Sequence, residues 1–462
     1  MNGLKNIKNV YFLGIGGIGM SALARYFRFT GRNVAGYDRT QTELTDNLQA
    51  EGIDIHFEDD IRNIPTNWNP AETIAVYTPA LPEDNSELAW FKEKTIALFK
   101  RAKVLGLISN EKSGIAVAGT HGKTTVSTMV ANTLNNTVNG CGAFLGGISK
   151  NFESNLLLPK NDSPWIVVEA DEFDRSFLHL KPQLALITSV DADHLDIYGS
   201  KEKMKESFEK FISQIKPEGK LLIKKGVDLV AKGKTSAQIF SYSIKEKADF
   251  STVNLRLNVE GGFYQFDLKT PGGTIANCKL NYPGLVNVEN AVGASSLAFL
   301  AGATANEIKA GLEDYQGVAR RFDIRLKSEK YVYIDDYAHH PEELKAVISS
   351  VKALYPKRKI TGIFQPHLYS RTKDFSTEFA VSLDILDTAI IIPLYPAREE
   401  PMEGVSSEII FNQMQLEDKY LASKEETFEM LKNKDCDLVL TMGAGDIDNM
   451  TKNIVEILKS KS

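Results

Sequence analysis

Three successive α/β units built on mostly parallel sheets are predicted, and three observations predict them. Apolar runs ending in glycine or acidic turns alternate with amphipathic helical stretches. The alternation restarts near Glu111 and again after Arg321. Only residues 236–283 break into short, turn-rich segments, which predicts a small antiparallel addition to the second unit. At 462 residues the chain is too long for one core, so domains at 1–108, 109–319 and 320–462 are expected.

In the first unit, VYFLGI at 10–15 reads as a buried strand. GGIGM then turns the chain into the apolar-periodic helix SALARYFRFT, which Gly31 stops. NVAGYD is the next strand and ends at Asp38; TIAVYTP and KVLGLI repeat the strand signal. Gly14, Gly16 and Gly19, with Gly17 between them, fit G-x-G-x-x-G at a strand-to-helix turn. Backbone amides there can face a diphosphate, and Asp38 stands where a ribose-binding acid would sit. The motif alone leaves a dinucleotide, another diphosphate or a structural turn open.

In the second unit, GIAVAG is a strand, GTHGKT a turn and TTVSTMVANTLNN a helix. The turn departs from the usual phosphate-binding loop, because the position of its first glycine is Val117. Gly119, Thr120, His121 and Gly122 still form a turn able to expose its amides. Lys123 can reach phosphates, and Thr124, followed by Thr125, can ligate magnesium through its hydroxyl. WIVVEAD and LALITSVD are further strands with acidic ends. Glu169 directly follows an apolar strand and is the best partner for a cation; Asp171, Glu172 and Asp174 fit a solvated loop better. His194, among Asp191, Asp193 and Asp196, is either a ligand of a second ion or a histidine that holds its loop. SAQIFSYS, TVNLRLNVE and GGFYQFDLKTPGG make up the antiparallel addition, and VENAVGASSLAFLAGA is a helix.

In the third unit YVYIDD is a strand, PEELKAVISSVKALYP a helix with proline at its start, and KITGIFQP, TAIIIPLYP and DLVLTMGAG continue the rhythm. Composition narrows the function classes. A net charge of −6 argues against a nucleic-acid footprint. Three distant cysteines without a CxxC pair argue against a zinc knuckle or disulfide framework. No leader pattern and no run of about 18 apolar residues is visible, so a cytoplasmic location without stable membrane insertion is expected.

GTHGKTT, EADEFDRSF and DADHLD together resemble the Mur ligases of bacterial peptidoglycan synthesis, ATP-dependent amide ligases of three domains. The resemblance covers nearly the whole chain. GIGGIGMSALA, GVARRFD, DDYAHHPEE, FQPHLYSRTKDF, LYPAREEPMEGVSSE and MGAGDID are similar to the branch that adds L-alanine to UDP-N-acetylmuramate. It implies a Rossmann-like UDP-binding domain, a central domain like a P-loop ATPase, and a Rossmann-like C-terminal domain. The implied cofactors are ATP and Mg2+, and the implied partners UDP-N-acetylmuramate and L-alanine, with a monomer or weak homodimer expected.

The resemblance also implies residue roles. Lys123 and Thr124 hold ATP and one magnesium; Glu169 and His194 hold a second. Asn287 and Asn290 lie near adenine. Arg320 or Arg321 reaches the phosphates. Asp335, Tyr337, His339, His340 and Arg371 line the face that closes over the amino acid. Asp335 and Asp336 are candidates for its ammonium, Arg371 for its carboxylate, and His339 or His340 for the base or for a helix cap. All three domains are expected to meet only on closure, because an acyl phosphate must be kept from water.

Departures are Val286 where the family has histidine and Leu368 where it often has arginine. Lys201, Lys203 and Lys205 follow the second acidic loop, but the alanine-adding branch is not expected to need the carbamylated lysine of its relatives. A recycling ligase that attaches a tripeptide to the same sugar nucleotide is the near alternative. Folylpolyglutamate synthase, a nicotinamide oxidoreductase and a nucleotide-regulated binding protein each leave one of the two loops or its acidic partners unused.

Overall fold

The computed structural model describes residues 4–160, 163–191, 195–397 and 399–461. Its first sheet has five parallel strands in the order Asp54–His56, Asn33–Tyr37, Asn9–Leu13, Thr73–Tyr77 and Ala97–Lys100. Asn9–Leu13 is wholly buried because five residues of mostly apolar side chain face helices on both sides. Its two neighbours are reached by connections running in opposite directions, so a crevice opens at its carboxyl end. The glycine loop leaves the sheet there and leads into helix Ile18–Phe29.

The second sheet has ten strands: Gly273–Leu280, Phe263–Thr270, Phe250–Asn258, Gln238–Ser243, Lys220–Lys224, Leu184–Ile187, Ser113–Ala118, Trp165–Glu169, Gly142–Ser149 and Ser154–Leu157. Ser113–Ala118 lies between Leu184–Ile187 and Trp165–Glu169, parallel to both. The Gly119–Gly122 turn therefore also leaves a sheet at a switch point, flanked by two strands with acidic residues beyond their ends. The third sheet runs Asp323–Lys327, Val332–Asp336, Leu438–Met442, Ile360–Phe364, Thr388–Ile391 and Lys419–Leu421. Its first strand is antiparallel and the others parallel.

Three expectations need correction. KVLGLI is not a strand but part of helix Arg101–Asn110. Val104, Leu105 and Ile108 are buried at helical spacing, and Gly106 is buried too, so the short run carries no readable period. The boundary expected after residue 108 consequently falls inside a helix. SAQIFSYS does not belong to a separate antiparallel piece: Gln238–Ser243 pairs parallel with Lys220–Lys224 and extends the main sheet. The hairpins that follow continue that same sheet, and an unforeseen strand, Ser154–Leu157, closes the far edge antiparallel to Gly142–Ser149.

The third correction concerns closure. The first two sheets already belong to one compact unit, residues 1–256, 265–281 and 289–316. Helix Ile18–Phe29 buries Met20, Leu23 and Phe27, the last a side chain whose loss typically costs about 3–5 kcal/mol. The same helix meets the second sheet. The Tyr26 and Phe144 ring centroids are 5.5 Å apart, and Arg25 Nη1 donates to Asn155 Oδ1 at 2.6 Å. Asn155 Nδ2 donates in turn to the Ile18 carbonyl and Ser21 Oγ. These contacts put the two glycine loops on one body. Residues 257–264, 282–288 and 317–462 form the second compact unit, around the third sheet. No helix among the described residues is long and apolar enough to cross a membrane.

Candidate active site

In the first unit the glycine loop forms one end of a cleft of about 280 Å³ lined by Gly17, Gly19, Thr78, Arg101, Glu169 and Asp171 among others. Gly16 N–H donates to Asp38 Oδ2 at 2.7 Å, and Asp38 Oδ1 accepts from Thr40 N–H at 3.1 Å. Asp38 is thus tied into the loop rather than standing apart as a ribose ligand. Arg101 packs so close to Gly19 that a Cβ there would lie 2.9 Å from Nη1. Its other nitrogen is 3.5 Å from Asp171 Oδ2. Arg101 was not foreseen. Its signal was a basic residue at a helix start following a strand, hidden because the helix itself was read as a strand.

The second loop takes a shape only glycine adopts freely. Gly119 has φ +130°, and a Cβ there would stand 2.1 Å from Thr188 Oγ1. Gly122 has φ +80° and begins helix Lys123–Asn135. Thr120 Oγ1 pairs with Ser189 Oγ at 2.9 Å and accepts from Asp191 N–H at 3.1 Å, and His121 N–H donates to Ser189 Oγ. The loop is therefore held rigidly against the strand end at 187–191. Thr124 and Thr125 are buried on the first turn of the helix. Asn290 lies over the loop, its Oδ1 close to Gly122 Cα.

Lys123 Nζ donates to the Gly119 carbonyl and to Glu172 Oε1, both at 2.8 Å. Burial opposes the lysine charge, but Glu172, Asp171 and Glu169 outweigh it and hold Lys123 above the ordinary lysine value. Burial pushes the Glu172 carboxyl up, with Lys123 pulling against it. Glu172 is fully buried, so it is not the solvated loop acid that its spacing also allowed.

The residues fit an anionic nucleotide and a cation. The loop offers helix-start amides and a buried ammonium, and Glu169 Oε2 is buried with no hydrogen-bond partner. That oxygen lies against Gly146, where an added Cβ would stand 2.1 Å from it. His194 and Asp193 lie outside the described residues. Among the described residues no group of three His, Cys, Asp or Glu side chains is placed to hold a metal by protein ligands alone. A magnesium there would need phosphate and water oxygens as well, as its chemistry favours.

In the second compact unit Asp335 is fully buried. Its Oδ1 accepts from Thr441 at 2.7 Å, and Oδ2 is 3.5 Å from Arg320 Nε. Burial raises its carboxyl above the usual range, against the pull of Arg320. Asp336 accepts Phe322 N–H at 2.6 Å and Ala338 N–H at 2.8 Å, and burial raises it to about 6. Both carboxylates are engaged by partners within this compact unit, where the resemblance expects Asp335 to line the amino-acid face. Arg320 also bonds the Gly443 carbonyl at 2.7 Å and pairs with Asp448 at 3.2 Å. These bonds tie Arg320 to its own compact unit, where the resemblance expects Arg320 or Arg321 to reach the phosphates.

Tyr337 lies beneath both guanidiniums, 5.1 Å from Arg320 and 5.5 Å from Arg321. His339 Nδ1 is 2.9 Å from the Tyr337 carbonyl, which only accepts. Nδ1 therefore carries the hydrogen, and a neutral ring leaves Nε2 basic. Burial lowers the His339 value and keeps it neutral. His340 instead caps helix Pro341–Leu354, its side chain facing Glu342 N–H. The His367 ring stands 6.0 Å from His339 and stacks on Tyr395 at 5.9 Å, a cluster with no periodic signature. Arg371 lies on helix Tyr369–Asp374, near enough for its charge to depress His339. Leu368 is buried at φ +69°, where it starts that helix. Asn287 donates to the Pro283 carbonyl at 2.6 Å, three residues before Asn290 on one helix, with Val286 exposed beside it.

Comparison with known proteins follows the same three-part layout. Residues 9–113 match the model described as Mur ligase family, catalytic domain; 117–298 match the Mur ligase middle domain; 320–445 match the Mur ligase, glutamate ligase domain. The UDP-N-acetylmuramate–L-alanine ligase of Parabacteroides distasonis is 49% identical over 98% of this chain and 98% of its own. That of Phocaeicola vulgatus is 47% identical over 99% of this chain and 100% of its own. The crystal structure of the UDP-N-acetylmuramate-alanine ligase of Thermotoga maritima aligns with TM-score 0.81 and 27% identity, over 98% of this chain and 100% of its own. A murein peptide ligase of Psychrobacter arcticus aligns with TM-score 0.71 at 23% identity, over 98% of each chain, a likeness of fold alone. On this full-length identity, and with both glycine loops in their places, the chain belongs to the Mur ligase family.

Proposed function

We propose that this chain joins L-alanine to the lactyl carboxylate of UDP-N-acetylmuramate, coupled to cleavage of ATP to ADP and phosphate. Supporting it are relatives named for that reaction at 47% and 49% identity from end to end. The observation that carries it is the cleft shared by Gly17, Gly19, Arg101 and Glu169. A sugar nucleotide held by its diphosphate at the glycine end extends its carboxylate toward Glu169, beside the phosphate loop.

Helix-start amides at Gly16–Gly19 receive the diphosphate, and Arg101 adds a fixed positive charge. Lys123 has three N–H donors and uses two on Gly119 and Glu172, so one remains for a phosphate oxygen. Thr124, Glu169 and His194 would hold magnesium, and Asn287 and Asn290 would lie near adenine. ATP with magnesium, when bound, supplies the phosphoryl group that converts the carboxylate into an acyl phosphate with its charge offset. Arg371 takes the amino acid carboxylate and His339 Nε2 accepts a proton from its ammonium, leaving a neutral amine. Arg321 is the candidate for the phosphate oxygens, and Arg320, paired with Asp335, lies over Tyr337. The amine attacks the acyl carbon, the amide forms and phosphate leaves.

The domains behind this reading are the three proposed at the outset, the first two working as one body. The test is mass spectrometry of the sugar nucleotide after incubation with ATP, magnesium and L-alanine. A gain of one alanine residue, absent when any component is omitted, is expected. ATP cleavage without that gain would reject the reading.

A further inference from the structure

We infer that Glu172 is a positioning residue that holds the ammonium of Lys123 in its working place before the nucleotide arrives. Three observations converge on it. Its carboxylate is fully buried and lies 2.8 Å from Lys123 Nζ. Its backbone is itself pinned, because Tyr198 O–H donates to the Glu172 carbonyl at 2.6 Å and the Arg175 guanidinium covers the Tyr198 ring at 4.9 Å. The chain then reverses through Asp174 and Arg175, both left-handed at φ 51° and 55°, so the segment turns sharply just beyond Glu172. Asp171 and Phe173, its neighbours, line the cleft, while Glu172 points the other way into the phosphate loop.

The physical argument is one of pre-organisation. A free lysine side chain carries about 2 kcal/mol of rotamer entropy, and a long flexible ammonium pays it when it settles on a phosphate. Here Glu172 and the Gly119 carbonyl fix that side chain and leave one of its three donors for a phosphate. A buried carboxylate left unpaired would be strongly disfavoured, and Lys123 pairs this one.

This rests on the nucleotide reading of the loop, and the experiment separates the two. The probe is Mg-ADP, its dissociation constant measured by calorimetry on the full chain, with melting temperature recorded alongside. If the wild-type chain does not bind Mg-ADP, the nucleotide reading and this inference both fall. With binding established, E172Q is expected to weaken it about fivefold and to lower kcat at least about tenfold, because the ion pair with Lys123 becomes a bond from an ammonium to a neutral amide. In a K123M background the further change to E172Q should leave Mg-ADP affinity unchanged and raise the melting temperature, because it removes a stranded buried charge. That comparison also decides the matter if E172Q alone does not fold. Equal effects of E172Q on affinity with and without Lys123, or wild-type affinity and kcat in E172Q, would overturn the inference.

Discussion

Gly16 donates its backbone N–H to Asp38 Oδ2 at 2.7 Å, so an acid that ends one strand shapes the glycine loop that follows another. Removing it leaves a half-buried amide without its acceptor, a loss of about 1–3 kcal/mol. Asp38→Ala is expected to raise KM for UDP-N-acetylmuramate about tenfold or more and to leave Mg-ADP binding unchanged; Asp38→Asn, which keeps an acceptor, should be milder. An unchanged KM in the alanine variant would show that the loop keeps its shape without Asp38.

Arg101 bridges the two halves of the cleft, packed on Gly19 and 3.5 Å from Asp171. Arg101→Lys retains charge but loses the planar fork, and Arg101→Ala loses both. The expected order of KM for the sugar nucleotide is wild type, then lysine, then alanine, with the alanine variant at least about tenfold up for a lost charge-assisted contact. Steady-state kinetics at saturating ATP measures it. An alanine variant with normal KM would remove Arg101 from the binding site.

Glu169 has a buried carboxylate oxygen without a hydrogen-bond partner. If a cation completes it, Glu169→Gln should raise the magnesium concentration needed for half-maximal rate by about tenfold, and part of the rate should return at high magnesium. The same titration on His194→Ala decides between the two readings of that residue. Restored rate marks a ligand; an unchanged magnesium dependence with a lowered melting temperature marks a loop residue.

Glu87 predicts a pH effect far from the chemistry. It is fully buried, accepts Tyr11 O–H at 2.6 Å and lies 3.4 Å from His56 Nε2. Burial raises its carboxyl from 4.5 to about 7, with the bonds from Tyr11 and the Asp60 backbone opposing and the charge of Asp59 adding to the rise. The folded chain thus keeps a proton that the unfolded chain releases. This contribution to stability is fully present below about 4.5 and is lost as pH rises toward 7. Glu87→Gln cannot ionise, so its melting temperature should gain on wild type steadily across that window. A difference that does not vary with pH would contradict the assignment.

The phosphate loop was legible because its chemistry is local: glycines, lysine and threonine act within seven residues of one turn. The choice among Glu169, Asp171, Glu172 and Asp174 was not. It depends on where two left-handed residues, Asp174 and Arg175, send the chain, and nothing in their spacing says which carboxylate turns back to Lys123. KVLGLI was misread because burial on most sides erases the difference between a period of two and one of 3.6. The parallel pairing of Gln238–Ser243 was hidden because a strand's partner lies elsewhere in the chain. For Asp335 the residue type was right for an ammonium, but its burial beneath Thr441 and Arg320 is a tertiary fact.

The most direct measurement of the central claim is kcat/KM for phosphate release with UDP-N-acetylmuramate, ATP and magnesium, taken in turn with L-alanine, glycine, L-serine, D-glutamate and a murein tripeptide. A pocket closed on one methyl discriminates against its loss by only about 1 kcal/mol, and a small hydroxyl often fits. L-alanine is therefore expected first, glycine and L-serine weaker but measurable, and D-glutamate and the tripeptide nearly inactive. Efficient ligation of the tripeptide with no turnover of L-alanine would contradict the account.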